Sequence, residues 1–504
     1  MPDAFRAARK SSCEHADLTQ VGPSAVPSVT ESADYPRIIQ GGMGIGVSGW
    51  QLARAVSRLG HLGVVSGTAV DTVLIRRLQD GDEGGHVRRA MAAFPVADVA
   101  DDLVRRFYLP PGARGDAPYK LLSMFRRVAS LGRQQVAMMA NFVEVWLAKE
   151  GHDGVVGINL LTKVQMPNLP SLYGAMLAGV DYVLMGAGIP REIPGLLDAL
   201  AEHREARLKL DVEGPAGAGL DEMVFTPRDH AIEDRTPLRR PLFVPIVSAS
   251  SLATTLARKA SGRVDGFIVE GPTAGGHNAP PRGQPLFTAD GEPLYGERDV
   301  VDLKKISELG LPFWLAGGAG TPKGLRAALA VGAAGVQVGT LFAYCDESGF
   351  SPELKSRVLA GIAGGTVRVR TDPRASPTGY PFKVVQMEGL DQQDDHRERN
   401  CDLGYLRTAY RTAEGRLGYR CAAEPVAEYV AKGGDAADTV GRRCLCNALT
   451  ANIGQPQQRD AGEELPLLTS GDDLVSLDTF AQGRARYSAA DVVDYLCAES
   501  AASA

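Results

Sequence analysis

Nowhere in the 504 residues does an apolar run approach the ~20 residues that a membrane-spanning helix requires. A basic surplus is missing too: 54 Lys and Arg stand against 60 Asp and Glu, a formal charge of −6. A general nucleic-acid binder would carry a basic face, so neither nucleic acid nor a membrane is an expected partner. Aromatic residues make up only 6% of the chain. The first residues, MPDAFRAARKSSCEHADL, have no apolar core of the kind a secretory signal carries. The cysteines number seven, which fits no disulfide framework, so reduced thiols in a cytoplasm are the expectation. What abounds is glycine, 58 residues, as suits an α/β chain with many tight turns.

The chain is too long for one compact core and predicts one large domain with attachments. Residues 1–34 are polar, broken by Pro23 and Pro27, and read as a flexible leader. Short apolar runs then recur at 37–40, 62–66, 155–160, 181–185, 244–247, 266–270, 312–316 and 335–339. Helical spacing lies between them, as in Leu52, Ala53, Val56 and Leu59. Eight such strands alternating with helices predict a TIM (β/α)8 barrel over 35–349. Residues 70–152 carry Leu74, Leu78, Val87, Ala90, Met91, Leu121, Met124, Phe125 and Val128 at intervals of three or four. They predict a helical insertion that roofs a site. Residues 207–240 predict a second, polar insertion. Beyond 350 the rhythm stops, and 350–504 reads as a C-terminal extension packed on the barrel. Near its end, Ser488 followed by Asp491 predicts a capping box for a last helix.

The stretch GFIVEGPTAGGHN, residues 266–278, holds the chemistry. A buried strand ends at Glu270, and a glycine-broken loop leads to His277. Bare glycines let backbone approach a flat ligand, and an imidazole there can move a proton near neutral pH. Gly44-x-Gly46-x-x-Gly49 matches the dinucleotide fingerprint, but the second strand ends in Ser66-Gly67 without the expected acid, and the strand count opposes an open sheet. Gly317-Gly318 and Gly339-Thr340 end the seventh and eighth strands, the usual phosphate seat of a barrel. Together with a planar ligand against Gly42-Met43-Gly44, that seat suggests flavin mononucleotide.

The segments IIQGGMG, INL, MGAGIP, VEGPTAGGH, LAGGAG and GVQVGT, in order from 39 to 340, resemble the nitronate monooxygenase family. That family is similar in turn to FMN-dependent enoyl-acyl-carrier-protein reductases. The resemblance implies an FMN barrel enzyme that oxidises alkyl nitronates with O₂, with His277 as catalytic acid or base. It implies that Gly42, Met43, Gly44, Asn159, Gly186, Gly275 and Gly276 lie against the flavin. Gly317, Gly318, Gln337, Gly339 and Thr340 would hold its phosphate. MGAGIP is closer to the reductase branch, so an NAD(P)H-dependent enoyl-thioester reductase is the alternative. The substrate is a small molecule in either case, and a homo-oligomer is left open.

Cys401, Cys421, Cys444 and Cys446 form a candidate zinc set, but with one C-x-C and no C-x₂-C the expectation is reduced, partly buried thiols. Arg368, Arg370, Arg374 and Lys383 gather positive charge around a turn that could meet an anionic group or lie solvated. The other histidines, His15, His61, His86, His152, His203, His230 and His396, are expected at the surface.

Overall fold

The computed structural model describes residues 35–214, 221–390, 397–460 and 462–498. The expected leader and the residues His15 and His396 lie outside them. Eight strands form one parallel sheet: Ile38–Gln40, Gly63–Ser66, Val156–Leu161, Tyr182–Gly186, Leu242–Val247, Phe267–Glu270, Phe313–Ala316 and Gly335–Val338. Counted along the chain as first to eighth, their spatial order is 1-8-7-6-5-4-3-2. The two ends of that sheet meet at a parallel bridge between Ile39 and Leu62. There Gln40 N–H donates to Leu62 O at 2.9 Å and Leu62 N–H to Ile38 O at 3.1 Å. The sheet is thereby nearly closed into a TIM barrel.

Alternation within each short run divides inside from outside. Ile39, Leu62, Val64, Leu184, Val244, Ile268 and Trp314 pack together as the filling of the barrel. Their neighbours Ile38, Val65, Val183, Phe243, Phe267 and Phe313 face outward into the main core under the helices. Trp314 plugs the base, its indole N–H donating to Pro36 O at 2.7 Å. The interior is packed at this end, which leaves the C-terminal mouth as the place for a ligand.

Residues 70–152 contain helices Val70–Gln79, His86–Ala92, Ala97–Phe107 and Leu131–Lys149. The helical reading of Leu121, Met124, Phe125 and Val128 is corrected: residues 108–130 hold no helix. Prolines and glycines break the segment, and distant side chains satisfy its backbone instead. Gln457 Oε1 accepts from Tyr119 N–H at 2.9 Å, Gln79 Oε1 from Lys120 N–H at 2.7 Å, and the Tyr419 hydroxyl from Arg127 N–H at 2.7 Å. Arg407 donates to Phe125 O at 2.6 Å. The apolar spacing there marks plugs: Phe125 is buried beneath Arg133, whose guanidinium lies 3.7 Å from its ring centre.

Past the barrel, Arg368–Asp372 and Phe382–Gln386 pair as an antiparallel hairpin. Ser488 and Asp491 form the capping box of the helix Ala489–Cys497. No helix among the described residues is long and apolar enough to cross a membrane.

Arg133 also pairs with Asp71 at 2.6 Å, both side chains being about 95% buried. Removing one partner leaves a buried charge alone. Arg133→Leu is expected to lower unfolding stability by ~3–5 kcal/mol, and adding Asp71→Asn to recover part of that loss, as read from urea unfolding midpoints.

Candidate active site

Three loops at the barrel mouth bring the chemistry together. The first strand ends in Gly41-Gly42-Met43-Gly44, the sixth in Glu270 and the loop to His277, and the eighth in Gly339-Thr340. One cavity is lined by all thirteen residues singled out from the sequence, His277 and the twelve expected around the flavin. Of the glycine fingerprint 44–49, Gly44 lines this cavity, Gly46 packs against Ile453 and Gly49 caps the following helix, and the sheet is not an open dinucleotide sheet.

Two of these glycines have specific steric reasons. A Cβ at Gly42 would lie 2.2 Å from Asn159 Cβ. A Cβ at Gly275 would lie 2.8 Å from both Ser470 C and Gly471 N. Gly275 is therefore bare because another stretch of this chain packs on it, a different reason from the cofactor approach expected of it. At Gly276, in contrast, an added Cβ would meet nothing within 4 Å.

The roof is the largest departure from expectation. No residue of the 70–152 insertion lines the cavity; Phe350, Phe382, Tyr405, Cys446, Asn452 and Ser470 from beyond 349 do. Residues 469–472 clasp both glycine loops. Thr469 Oγ1 accepts from Gly276 N–H at 3.0 Å, and Asp472 N–H donates to Thr273 O at 3.0 Å. Thr340 Oγ1 accepts from Gly471 N–H at 3.2 Å. The hairpin continues the clasp: His277 bridges Phe382 through the backbone, and Lys383 N–H donates to Gly276 O at 2.9 Å.

His277 stands against the ring of Phe382, edge to face at 4.8 Å. Its Nε2 lies 2.7 Å from Ser376 Oγ, a hydroxyl with no solvent exposure. The imidazole keeps one edge open to the cavity but is otherwise surrounded by protein, and burial pushes its pKa down to about 4. Glu270, at the wall between this cavity and a small side pocket near Tyr295, is pushed up to about 8 by burial. At neutral pH the site holds a neutral imidazole and a largely neutral carboxyl. Among the described residues no Lys or Arg lines the cavity.

The walls fit a flavin phosphate. Asn159 Oδ1 and Gln337 Oε1 are buried at the cavity wall without hydrogen-bond partners, which suits the polar edge of a planar ring system. Glycines line two sides, and Thr340 and the backbone amides near Gly318 and Gly339 offer donors for an anion.

Other readings are corrected. His61, His203 and His230 are buried, not solvated. His203 joins the Tyr173 hydroxyl at 2.7 Å, and His230 stacks on Phe225 at 4.8 Å. The positive cluster does not gather: Lys383 is buried against Asp472 at 2.6 Å, Arg368 bonds Gln386 and Arg370 bonds Asp290 O. Cys401, Cys421, Cys444 and Cys446 are free thiols, and among the described residues no group of three or more His, Cys, Asp or Glu is disposed to hold a metal ion. Sequence reading missed Ser376, Ser470 and Gly471. The turn signals Ser-Pro and Ser-Gly were available there, but nothing in them names a partner 99 or more residues away.

The family model for nitronate monooxygenase matches residues 227–414, the stretch that carries Glu270, His277 and Ser376. Over these residues the chain is similar to the nitronate monooxygenase family. A probable nitronate monooxygenase of Staphylococcus saprophyticus is 31% identical over 152 residues, 30% of this chain and 40% of that protein. The (3aS,4S,5R,7aS)-5-hydroxy-7a-methyl-1-oxo-octahydro-1H-indene-4-carboxyl-CoA dehydrogenase of Mycobacterium tuberculosis is 34% identical over 166 residues, 32% of this chain and 42% of that protein. The chain thus matches under half the length of either relative. The solved nitroalkane oxidase of Streptomyces ansochromogenes aligns over 92% of this chain and 95% of its own, at 16% identity and a TM-score of 0.43.

The buried carboxyl gives a pH signature. Its folded pKa of about 8 lies above the 4.5 of an ordinary glutamate, so the folded state keeps a proton that the unfolded state releases. Stability from this group is present below pH 4.5 and is lost as pH rises towards 8. Glu270→Gln is expected to raise the melting temperature relative to the parent at pH 8.5 and to change it little at pH 4.5, measured by thermal unfolding across that window.

Proposed function

We propose that the protein is an FMN-dependent oxidoreductase of the cytoplasm that oxidises alkyl nitronates with O₂. The observation that carries the reading is the meeting of His277 with the three glycine loops in one cavity, within and beside the segment matched as nitronate monooxygenase. Gly42, Met43, Gly44, Asn159, Gly186, Gly275 and Gly276 would border the flavin ring. Gly317, Gly318, Gln337, Gly339 and Thr340 would hold its phosphate. When bound, FMN would supply the electron transfer.

The chain's own residues do the rest. The loops from the C-terminal region cover the mouth and exclude water, which strengthens every polar contact inside. His277, neutral at working pH, takes a proton from the carbon of a neutral nitroalkane or donates a hydrogen bond to nitronate oxygens. Glu270, still protonated near neutrality, is a second donor at the wall.

A second reading is reduction of an enoyl thioester with NAD(P)H. The thioester half of this reading draws support from the relative named as a carboxyl-CoA dehydrogenase, as similar to this chain as the named monooxygenase. The two separate under anaerobic conditions: the first expects propionate 3-nitronate to bleach the flavin, and the second expects NADPH to bleach it while nitronate does not.

His277→Ala is expected to lower turnover by ~10²–10⁴-fold while flavin absorbance is retained. Steady-state rates and the visible spectrum of the purified variant check both halves, and unchanged turnover would remove the imidazole from the chemistry.

A further inference from the structure

We propose that His277, Ser376 and Thr378 form a proton relay that connects the cavity to solvent through the C-terminal hairpin. The inference rests on the proposed role of His277 as acid or base and assigns Ser376 and Thr378 as positioning residues that act through it.

The distances make a continuous chain. Nε2 of His277 lies 2.7 Å from Ser376 Oγ, which lies 2.8 Å from Thr378 Oγ1. Ser376 is fully buried, Thr378 is half-buried, and Gly379 beside it is exposed, so the chain begins at the cavity and ends at the surface. The turn is held in place: Arg442 donates to Ser376 O at 2.6 Å, and Asp372 accepts from Arg374 N–H at 2.8 Å.

Hydrogen-bond capacity gives the relay two states. A serine hydroxyl donates once and accepts twice. One of the two acceptor positions of Ser376 Oγ is taken by Thr378 N–H at 3.2 Å. Either Nε2–H donates to Ser376, which then donates to Thr378, or Thr378 donates to Ser376, which donates to a bare Nε2. The two arrangements differ by the movement of one proton along the chain.

This solves a difficulty that burial creates. A histidine lowered to about 4 is a weak base if it must carry the charge it gains. Among the described residues no free carboxylate is placed against the ring to stabilise an imidazolium. Asp472 is engaged by Lys383, Asp473 across the cavity is pushed up by burial, and the nearby cations Lys383 and Arg442 would only disfavour a charged ring. Lys163 lies over the ring of Tyr380 at 5.9 Å, and that ring is 6.5 Å from His277. Glu270, on the adjoining strand end, is itself held towards its neutral form. With the relay, the ring never becomes charged. As Nδ1 gains the proton leaving substrate carbon, Nε2–H passes its proton to Ser376 Oγ. The Ser376 hydroxyl proton passes to Thr378 Oγ1, and the Thr378 proton passes to solvent. Each oxygen keeps one proton, the imidazole changes tautomer, and one proton has left the cavity. Run backwards, the same chain delivers a proton.

The test uses the full-length, flavin-loaded protein and the variants Ser376→Ala, Ser376→Thr and Thr378→Val. Rates in mixtures of H₂O and D₂O are expected to bow for the parent, because several protons move together, and to become linear in Ser376→Ala and Thr378→Val. Turnover is expected to fall about tenfold or more in Ser376→Ala, within the range of one proton-transfer contribution, and to recover in Ser376→Thr. Independently of turnover, ¹⁵N NMR of histidine-labelled protein is expected to show the His277 tautomer balance shift in Ser376→Ala. Unchanged nitrogen shifts, or a bowed inventory kept with turnover within twofold of the parent, would overturn the relay. Should Ser376→Ala fail to fold, Thr378→Val carries the same readings at a less buried position. His277→Ala separates the two levels: if it keeps turnover, the functional reading falls and the relay with it. If it loses turnover while the two hydroxyl variants behave as the parent, only the relay falls.

Discussion

The backbone pairing of His277 with Phe382 is the contact on which the site depends. A glycine-rich loop is entropically expensive to hold in one shape, and the loop from 271 to 276 has little of its own to fix it. It is fixed from outside. Gly276 is gripped on both sides of its peptide, by Thr469 at its N–H and by Lys383 at its carbonyl. Gly275 is bare so that residues 470–471 can come this close. The barrel supplies the strand end that aims the loop, and residues 368–386 and 469–472 supply the restraint. Neither set would place the imidazole alone.

The barrel was legible because buried parallel strands announce themselves as short apolar runs between turn signals. All eight appear within about two residues of where the period places them, and their loops carried the glycines that end on one cavity. The roof was not legible. Its members contribute between one and four residues each, among them Phe382, Tyr405, Cys446 and Ser470, from segments whose local pattern describes only a hairpin, a turn or a short helix. A residue's partner across a hundred positions leaves no mark in local periodicity.

The misread segment at 108–130 makes the same point from the other direction. Leu121, Met124 and Phe125 have helical spacing, and Phe125 does bury itself, but no helix forms. Gln79, Gln457, Tyr419 and Arg407 satisfy the backbone groups that a helix would otherwise have paired internally. Where side chains offer the backbone that alternative, apolar spacing alone cannot decide the conformation. The buried histidines follow similar logic. His203 and His230 are tolerated inside because Tyr173 and Gln134 meet a ring nitrogen of each.

Among the described residues the cavity wall has no cationic side chain, its histidine is neutral, and burial raises both of its lining carboxyls, Glu270 and Asp473. Such a wall offers little to a bare anion through charge, so any anionic group must be held by oriented amides and hydroxyls. Those donors are present where the phosphate seat is expected, at Thr340 and the glycine backbone. At the other end, a substrate oxygen that gains negative charge would meet a protonated carboxyl and an imidazole instead of an ammonium. Neutral donors in a dry site favour a substrate that enters with its charge delocalised, as in a nitronate, or absent, as in a thioester. That constraint admits both chemistries proposed for the site and, at this end of the cavity, disfavours a substrate that brings a compact, strongly hydrated charge.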